Sequence, residues 1–350
     1  MLTLAFMAAT LLPAKTLEQR ECAPKVFCIS RKRVKHKVEF YVEFESPVEV
    51  TITVDFSRFR NMRASVNLPY TATVRRKGKH KLFEIWQARP RGEPDYNYNF
   101  SWRWGDARAK HDDKYVYSLP FKPGQKFIVS QAANGTYSHY GDAKHSIDFA
   151  LPERTTVVAA REGQLIAMRQ DGREGGMSEE MAGKENYIRI RHSDGTIAGY
   201  YHLDHLGAML THGSYVAVGQ VIGYSGSTGR SSAPHLHFEV HRPLDGNRRM
   251  TIPVKFRALE GEPLSLKAHR FYTSIAIDES PQRPQARPGQ IGRLKNLDVP
   301  MEASRPAITR KKEKAPSKEE RVAPQSKDWK ASEPSAFDQD GSFREFQLYE

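Results

Sequence analysis

The sequence predicts an all-β protein built from two β-domains in succession. Three observations carry that prediction. Apolar and polar residues alternate with period two in several runs, as half-buried strands require. Turn-forming residues such as Glu45-Ser46-Pro47 separate the runs. From Lys126 to about Tyr272 the predicted strands are short, glycines are frequent and helical periodicity is nearly absent. At 350 residues, 39% hydrophobic and 10% aromatic, the chain is long enough for two cores plus extensions.

The first segment, 1–20, opens on Met1-Leu2-Thr3-Leu4-Ala5-Phe6-Met7-Ala8-Ala9 and continues to Leu12. That apolar run is too short to span a bilayer as a helix, and small residues accompany it. It has the character of a secretory signal peptide, although no basic residues precede it. Export is therefore expected, and no later stretch reads as a transmembrane segment. The two cysteines, Cys22 and Cys28, follow directly. In an oxidising compartment such a close pair is expected to close a small disulfide loop.

Residues 21–125 read as a β-sandwich-like domain. Val38, Phe40, Val42 and Phe44 alternate with polar neighbours, as do Val50, Ile52, Val54 and Phe56. A later strand alternates Tyr96, Tyr98, Phe100, Trp102 and Trp104 with Asn97, Asn99, Ser101 and Arg103. Aromatic rings in a row can stack on sugars, but strict alternation is what sandwich packing demands, so a core role is expected. Pro120-Phe121-Lys122-Pro123-Gly124 reads as the connection to a second β-domain over 126–273. Beyond it, 274–350 is rich in Pro, Lys, Arg, Glu, Ser and Gln and poor in large apolar residues. Such a segment buries too little surface to offset its ordering entropy and is expected to be a disordered tail. The net charge of +13 favours an anionic partner, such as an envelope surface or cell-wall polymer. No nucleic-acid-binding motif accompanies the charge, which argues against nucleic acid.

Chemistry concentrates in the second domain, which holds nine of the 13 histidines between His139 and His241. Ala233-Pro234-His235-Leu236-His237-Phe238-Glu239-Val240 runs from His-x-His into an alternating strand. Residues i and i+2 of a strand share a face, so two imidazoles enter one space. That suits a catalytic zinc site, with one imidazole on the metal and a neighbour handling protons or developing charge. Two other segments can join it: Ser138-His139-Tyr140 through His145-Ser146-Ile147-Asp148-Phe149, and Tyr200-Tyr201-His202-Leu203.

From Ser138 to about Phe256 the chain resembles the lysostaphin-type, or LytM-like, zinc metallopeptidases of bacterial cell walls. The landmarks, in order, are Asp148-Phe149-Ala150-Leu151-Pro152, Thr156-Val157-Val158-Ala159-Ala160, Asn186 to His192 with Asp194-Gly195-Thr196, Tyr201-His202-Leu203, Val218-Gly219-Gln220-Val221-Ile222-Gly223, Ser227-Thr228-Gly229-Arg230-Ser231 and Pro234 to Glu239. The resemblance covers roughly a third of the chain and implies the duplicated hybrid β-motif as its fold. It implies one zinc held by a histidine, an aspartate and the second histidine of His-x-His. Asp148 and His237 match the latter two. The first ligand falls on His139, with His145 as the competitor.

The resemblance keeps His202 and His235 off the metal as catalytic residues, one acting on the attacking water and the other on charge at the tetrahedral stage, without assigning which does which. Asn186 is expected at the cleft edge. Arg154 and Ala233 stand where the family usually has glycine. His192, His205, His212 and His241 are expected at the surface.

The implied function is hydrolysis of peptide cross-links of peptidoglycan by a zinc-activated water, in the periplasm. The alternative is a non-catalytic LytM-like scaffold that regulates a cell-wall amidase. Lying directly before the site, the N-terminal domain is also a candidate to block the cleft.

Overall fold

The structure is a computed structural model that describes residues 20–211 and 213–276. The signal-peptide expectation and nearly all of the tail expectation lie outside the described residues, as does His212. Among the described residues the regular elements are strands, interrupted by the 3-10 turns Gly141–Ala143 and Glu179–Met181. No helix among them is long and apolar enough to cross a membrane.

The first domain is a sandwich of two antiparallel sheets. One orders its strands Arg20–Ala23, Phe27–Val34, Lys37–Phe44, Gly78–Gln87, Met62–Ala64; the other orders Tyr70–Val74, Val50–Arg60, Asp95–Trp104. The alternation read from the sequence is the packing: Val38, Phe40, Val42 and Phe44 face Val50, Ile52 and Val54 in one core. The aromatic strand joins them. Tyr98, Phe100 and Trp102 are buried, with Phe27 edge-on to Trp102 and Phe40 edge-on to Tyr98, the geometry that ring quadrupoles favour. Cys22 and Cys28 are cross-strand partners in the first hairpin and are disulfide-bonded.

A second core runs from Tyr117 to Tyr272. It starts earlier in the chain than the expected boundary at 125, because Val116–Ser118 pairs in parallel with Lys255–Ala258. Its main sheet orders Tyr215–Val216, Gly163–Arg169, Asn186–Arg191, Ile197–Leu203, Leu236–Pro243, Ile147–Phe149, Lys126–Gln131 and Phe271–Thr273, with Arg249–Thr251 beside Leu236–Pro243. Asp148, His202 and His237 sit on the central strands of this sheet.

The two domains share an apolar contact in which Val48, Ile166 and Ile197 are buried against Trp104. Arg191 Nε donates to Glu49 at 2.6 Å, and the Gly246 amide donates to Thr53 Oγ1 at 2.8 Å. Gly105 lies at this junction with φ of +99°, and a Cβ there would come within 2.8 Å of Ile197. Both the conformation and the close approach call for glycine.

Two histidines expected at the surface are buried instead. His241 packs beside Glu239 in the central strand. His192 lies under the interdomain linker, because Asp194, two residues on, accepts from the Asp112 amide and from Arg161. Its Nδ1–H donates to Glu162 O at 2.7 Å, and its ring packs against Tyr117. Burial, aided by the nearby Arg161 charge, pushes its pKa down to about 3.

The unfolded chain therefore takes up this proton first. The stability that neutral His192 contributes is complete above about pH 6.5 and is lost as pH falls toward 3. Between pH 6.5 and 4.5 the loss is expected to be about 2–3 kcal/mol. Urea unfolding at those two pH values, with chelator present, should show that slope shrinking by about one proton in His192→Gln.

Candidate metal centre and cleft

Strand register brings the site together. Asp148 and His237 are direct cross-strand partners, and Tyr201 faces His237 from the other side. His139 comes in from the loop after Lys126–Gln131 and is fully buried. Ligand atoms of His139, Asp148 and His237 all lie within 4.8 Å of one another. His139 Nε2 is 3.1 Å and His237 Nδ1 2.9 Å from Asp148 Oδ1. Asp148 Oδ2 accepts from Gln131 Nε2, which leaves Oδ1 turned to the two imidazoles. His145 is not in this group; its amide donates to Thr251 Oγ1.

The donor set fits a divalent cation. His139 Nδ1 lies 3.0 Å from Ala132 O, an atom that only accepts, so Nδ1 carries a proton and Nε2 is the nitrogen left to face the cluster, with a lone pair in the neutral ring. That lone pair is buried, has no hydrogen-bond partner, and faces a carboxylate oxygen. Two electron-rich atoms at that distance repel unless a cation lies between them. Burial alone would raise the Asp148 pKa, but the His139 and His237 contacts hold it well below the usual carboxylate range. At His237 burial opposes protonation, yet Asp148 and Glu239 outweigh it and push the pKa up to about 9. The pocket attracts positive charge, as a proton or as a metal.

His202 and His235 stand beside the trio without joining it. Their rings are 4.5 Å apart by centroid, and His202 lies 6.2 Å from His237. His202 has φ of +61°, a left-handed conformation uncommon for residues with a Cβ. Its Nδ1–H donates to Thr228 O at 2.8 Å, while Thr228 Oγ1 donates to Leu203 O. His235 Nδ1–H donates to Ala233 O at 2.8 Å. Each ring thus presents Nε2 as the free nitrogen. Burial, with His235 and His237 nearby, pushes the His202 pKa down to about 3, so the ring is neutral near pH 7.

Supporting residues explain why these loops hold. Fully buried Asn186 donates to the carbonyls of Gly172, Leu203 and Asp204, tying the 170–186 loop to the strand end that carries His202. Gly229 has φ of +73°, and a Cβ there would fall 2.5 Å from the Glu185 amide, so the 227–231 segment can pass only as glycine. Arg154, at a position where glycine was expected, has φ of +59° and pairs with Asp204 at 2.8 Å. It thereby fastens its turn to the residue after Leu203. At Ala233 it is the carbonyl, rather than the side chain, that serves His235.

Sequence reading missed Glu239, Arg249 and Tyr201. The signal for Glu239 was present: it is two residues beyond His237 and therefore on the same face of the strand, an acid in an otherwise buried run. Arg249 and Tyr201 carried no such signal, because their roles depend on which strands pair.

The trio lies in an open cleft of about 1150 Å³ whose walls include Gln131, Tyr137, Met177, Arg230 and Lys267. The wall residues run from Ser130 to His269. The expectation that the N-terminal domain blocks the cleft is not met among the described residues, since that domain docks through Val48, Glu49 and Thr53 elsewhere on the second domain.

An all-β scaffold thus brings a His/Asp/His cluster and two more histidines to one cleft, the donor set of a candidate metal centre. Residues 142–251 match the sequence model of peptidase family M23, so the chain carries an M23 domain, in agreement with the lysostaphin-type resemblance. His139 lies three residues before that match. Over 93 residues the chain is 41% identical to DD-carboxypeptidase/endopeptidase Mpg of Neisseria meningitidis, covering 27% of this chain and 19% of that protein. Over 132 residues it is 34% identical to peptidoglycan DD-endopeptidase ShyA of Vibrio cholerae and 38% identical to lysostaphin of Staphylococcus simulans. Each of these alignments covers 37% of this chain, with 25% of ShyA and 24% of lysostaphin. The chain thus spans only about a fifth to a quarter of the curated relatives it matches.

Proposed function

We propose that this protein is a zinc-dependent endopeptidase that hydrolyses peptide cross-links of bacterial peptidoglycan. One observation carries the reading. The buried His139 Nε2, without a hydrogen-bond partner, faces Asp148 Oδ1 beside His237 Nδ1, with two histidines anchored through Nδ1 at the same cleft. The names of the relatives supply the substrate class, and the disulfide and basic charge accord with the periplasm. The scaffold alternative is not favoured, because every residue type that catalysis needs is present and assembled.

His139, Asp148 and His237 would hold the ion, a set of three protein ligands of the kind a catalytic zinc takes. Zinc bound there supplies a water acidified to near-neutral pKa and a Lewis acid for the scissile carbonyl. The remaining work falls to the chain. His202 and His235 each turn a free Nε2 toward the cleft, one able to take a proton from the water and the other, once protonated, to stabilise charge on the carbonyl oxygen. The Thr228 and Ala233 carbonyls fix both rings in the tautomer those roles need.

The test is the zinc content of the purified protein together with muropeptide release from isolated sacculi. One zinc per chain with cleaved cross-links supports the reading; absence of both overturns it. His202→Ala should keep its zinc and lose about 10²–10⁴-fold in kcat, the range for a general acid–base group.

A further inference from the structure

We propose that Glu239 is the positioning residue of the metal centre. It accepts from His237 Nε2–H and so presents His237 Nδ1 to the metal as a lone pair. The inference rests on the zinc reading above and adds a residue outside the ligand trio and the two auxiliary histidines.

A neutral imidazole carries one N–H, and which nitrogen holds it is set by the hydrogen bond the other makes. His237 has a carboxylate at each end: Asp148 Oδ1 at 2.9 Å from Nδ1 and Glu239 Oε2 at 3.4 Å from Nε2. If the proton sat on Nδ1, it would be donated to Asp148. The His237 lone pair and the Asp148 oxygen would then both be lost to the ion. An ionised carboxylate only accepts, so Glu239 draws the proton to Nε2 and keeps the metal side open. Carboxylates behind metal-bound histidines act in this way.

Glu239 is held in place by a set of donors. It has no solvent exposure. Arg249 grips it with Nε at 2.8 Å from Oε1 and Nη2 at 3.3 Å from Oε2, a two-point fork. Ser146 Oγ donates to Oε2 at 3.2 Å and Tyr201 OH to Oε1 at 3.3 Å. Four donors besides His237 thus fix one carboxylate behind one ligand, in the strand next to the one that carries Asp148.

The experiment is zinc affinity of the full chain, by competition with a chromogenic chelator and corrected for the folded fraction. It is run on wild type, Glu239→Gln and Arg249→Met, with muropeptide release measured in parallel. Glu239→Gln should bind zinc about 10–100-fold more weakly. Arg249→Met keeps the carboxylate and should lose stability while weakening zinc far less. A merely structural role for Glu239 predicts that both variants weaken zinc alike, and that result, or an unchanged affinity in Glu239→Gln, overturns the inference. Should Glu239→Gln fail to fold, Glu239→Gln/Arg249→Met removes the buried pair together, and the same affinity loss is expected. Wild type that binds zinc without cleaving sinks the endopeptidase reading and leaves the role of Glu239 standing; wild type that binds no zinc sinks both.

Discussion

His237→Ala should leave the protein folded, without zinc and without muropeptide release. His237 stands in a central strand with a carboxylate at each ring nitrogen, so removing it takes away a proposed ligand and a group that contacts both Asp148 and Glu239. Metal-ion catalysis contributes several kcal/mol to transition-state stabilisation, and each 1.36 kcal/mol is tenfold in rate. The loss of kcat/KM is therefore expected to be about 10³-fold or more. Asp148→Ala and His139→Ala should behave alike, since ligand atoms of the three lie within 4.8 Å of one another. His145→Ala is the control, and it should retain zinc and activity because its ring stands outside the cluster. Metal analysis and muropeptide release on the four variants decide the matter. Zinc retained by His139→Ala and lost by His145→Ala would overturn the assignment of the first ligand.

A chain that begins at Val116, lacking the sandwich, should be less stable than the full chain and no more active. None of the described residues of the sandwich lines the cleft, so its removal uncovers nothing catalytic. What it uncovers is apolar. Ile166 and Ile197 have no exposure in the intact protein, being covered together with Val48 and Trp104. Exposing a buried isoleucine costs about 1.5–3 kcal/mol, so the pair loses about 3–6 kcal/mol. Arg191 also loses Glu49. Urea unfolding of both chains reads the difference. A truncated chain more active than the full one would mean that the removed region does restrain the cleft.

The legible parts of this protein were those governed by local pattern. Alternation at Val38–Phe44 and along Tyr96–Trp104 predicted which faces form the sandwich core, because successive side chains of a strand point to opposite sides. The same rule put His235 and His237 in one space, and it could have flagged Glu239. The ordered landmarks from Asp148-Phe149 to His235-x-His237-Phe238-Glu239 carried the family resemblance and, with it, the naming of residues that meet at the cleft.

Other outcomes needed the fold. His192 and His241 read as strand-end surface residues, yet one is roofed by the linker through Asp112 and Asp194 and the other lies beside Glu239. The junction at Tyr117 was hidden because the strand there pairs with one about 140 residues away. The choice of His139 over His145 was likewise open until the chain was folded, since spacing alone allows either.

By itself, then, the sequence determined the all-β class, the two cores and the residue types of the candidate metal centre, because alternation and motif order are properties of neighbouring residues. Tertiary structure alone decided which histidine reaches Asp148, that the N-terminal domain docks away from the cleft, and that Arg249 holds Glu239 behind His237. Those facts depend on strand register and on the burial of charge, and both arise only when distant segments pack together.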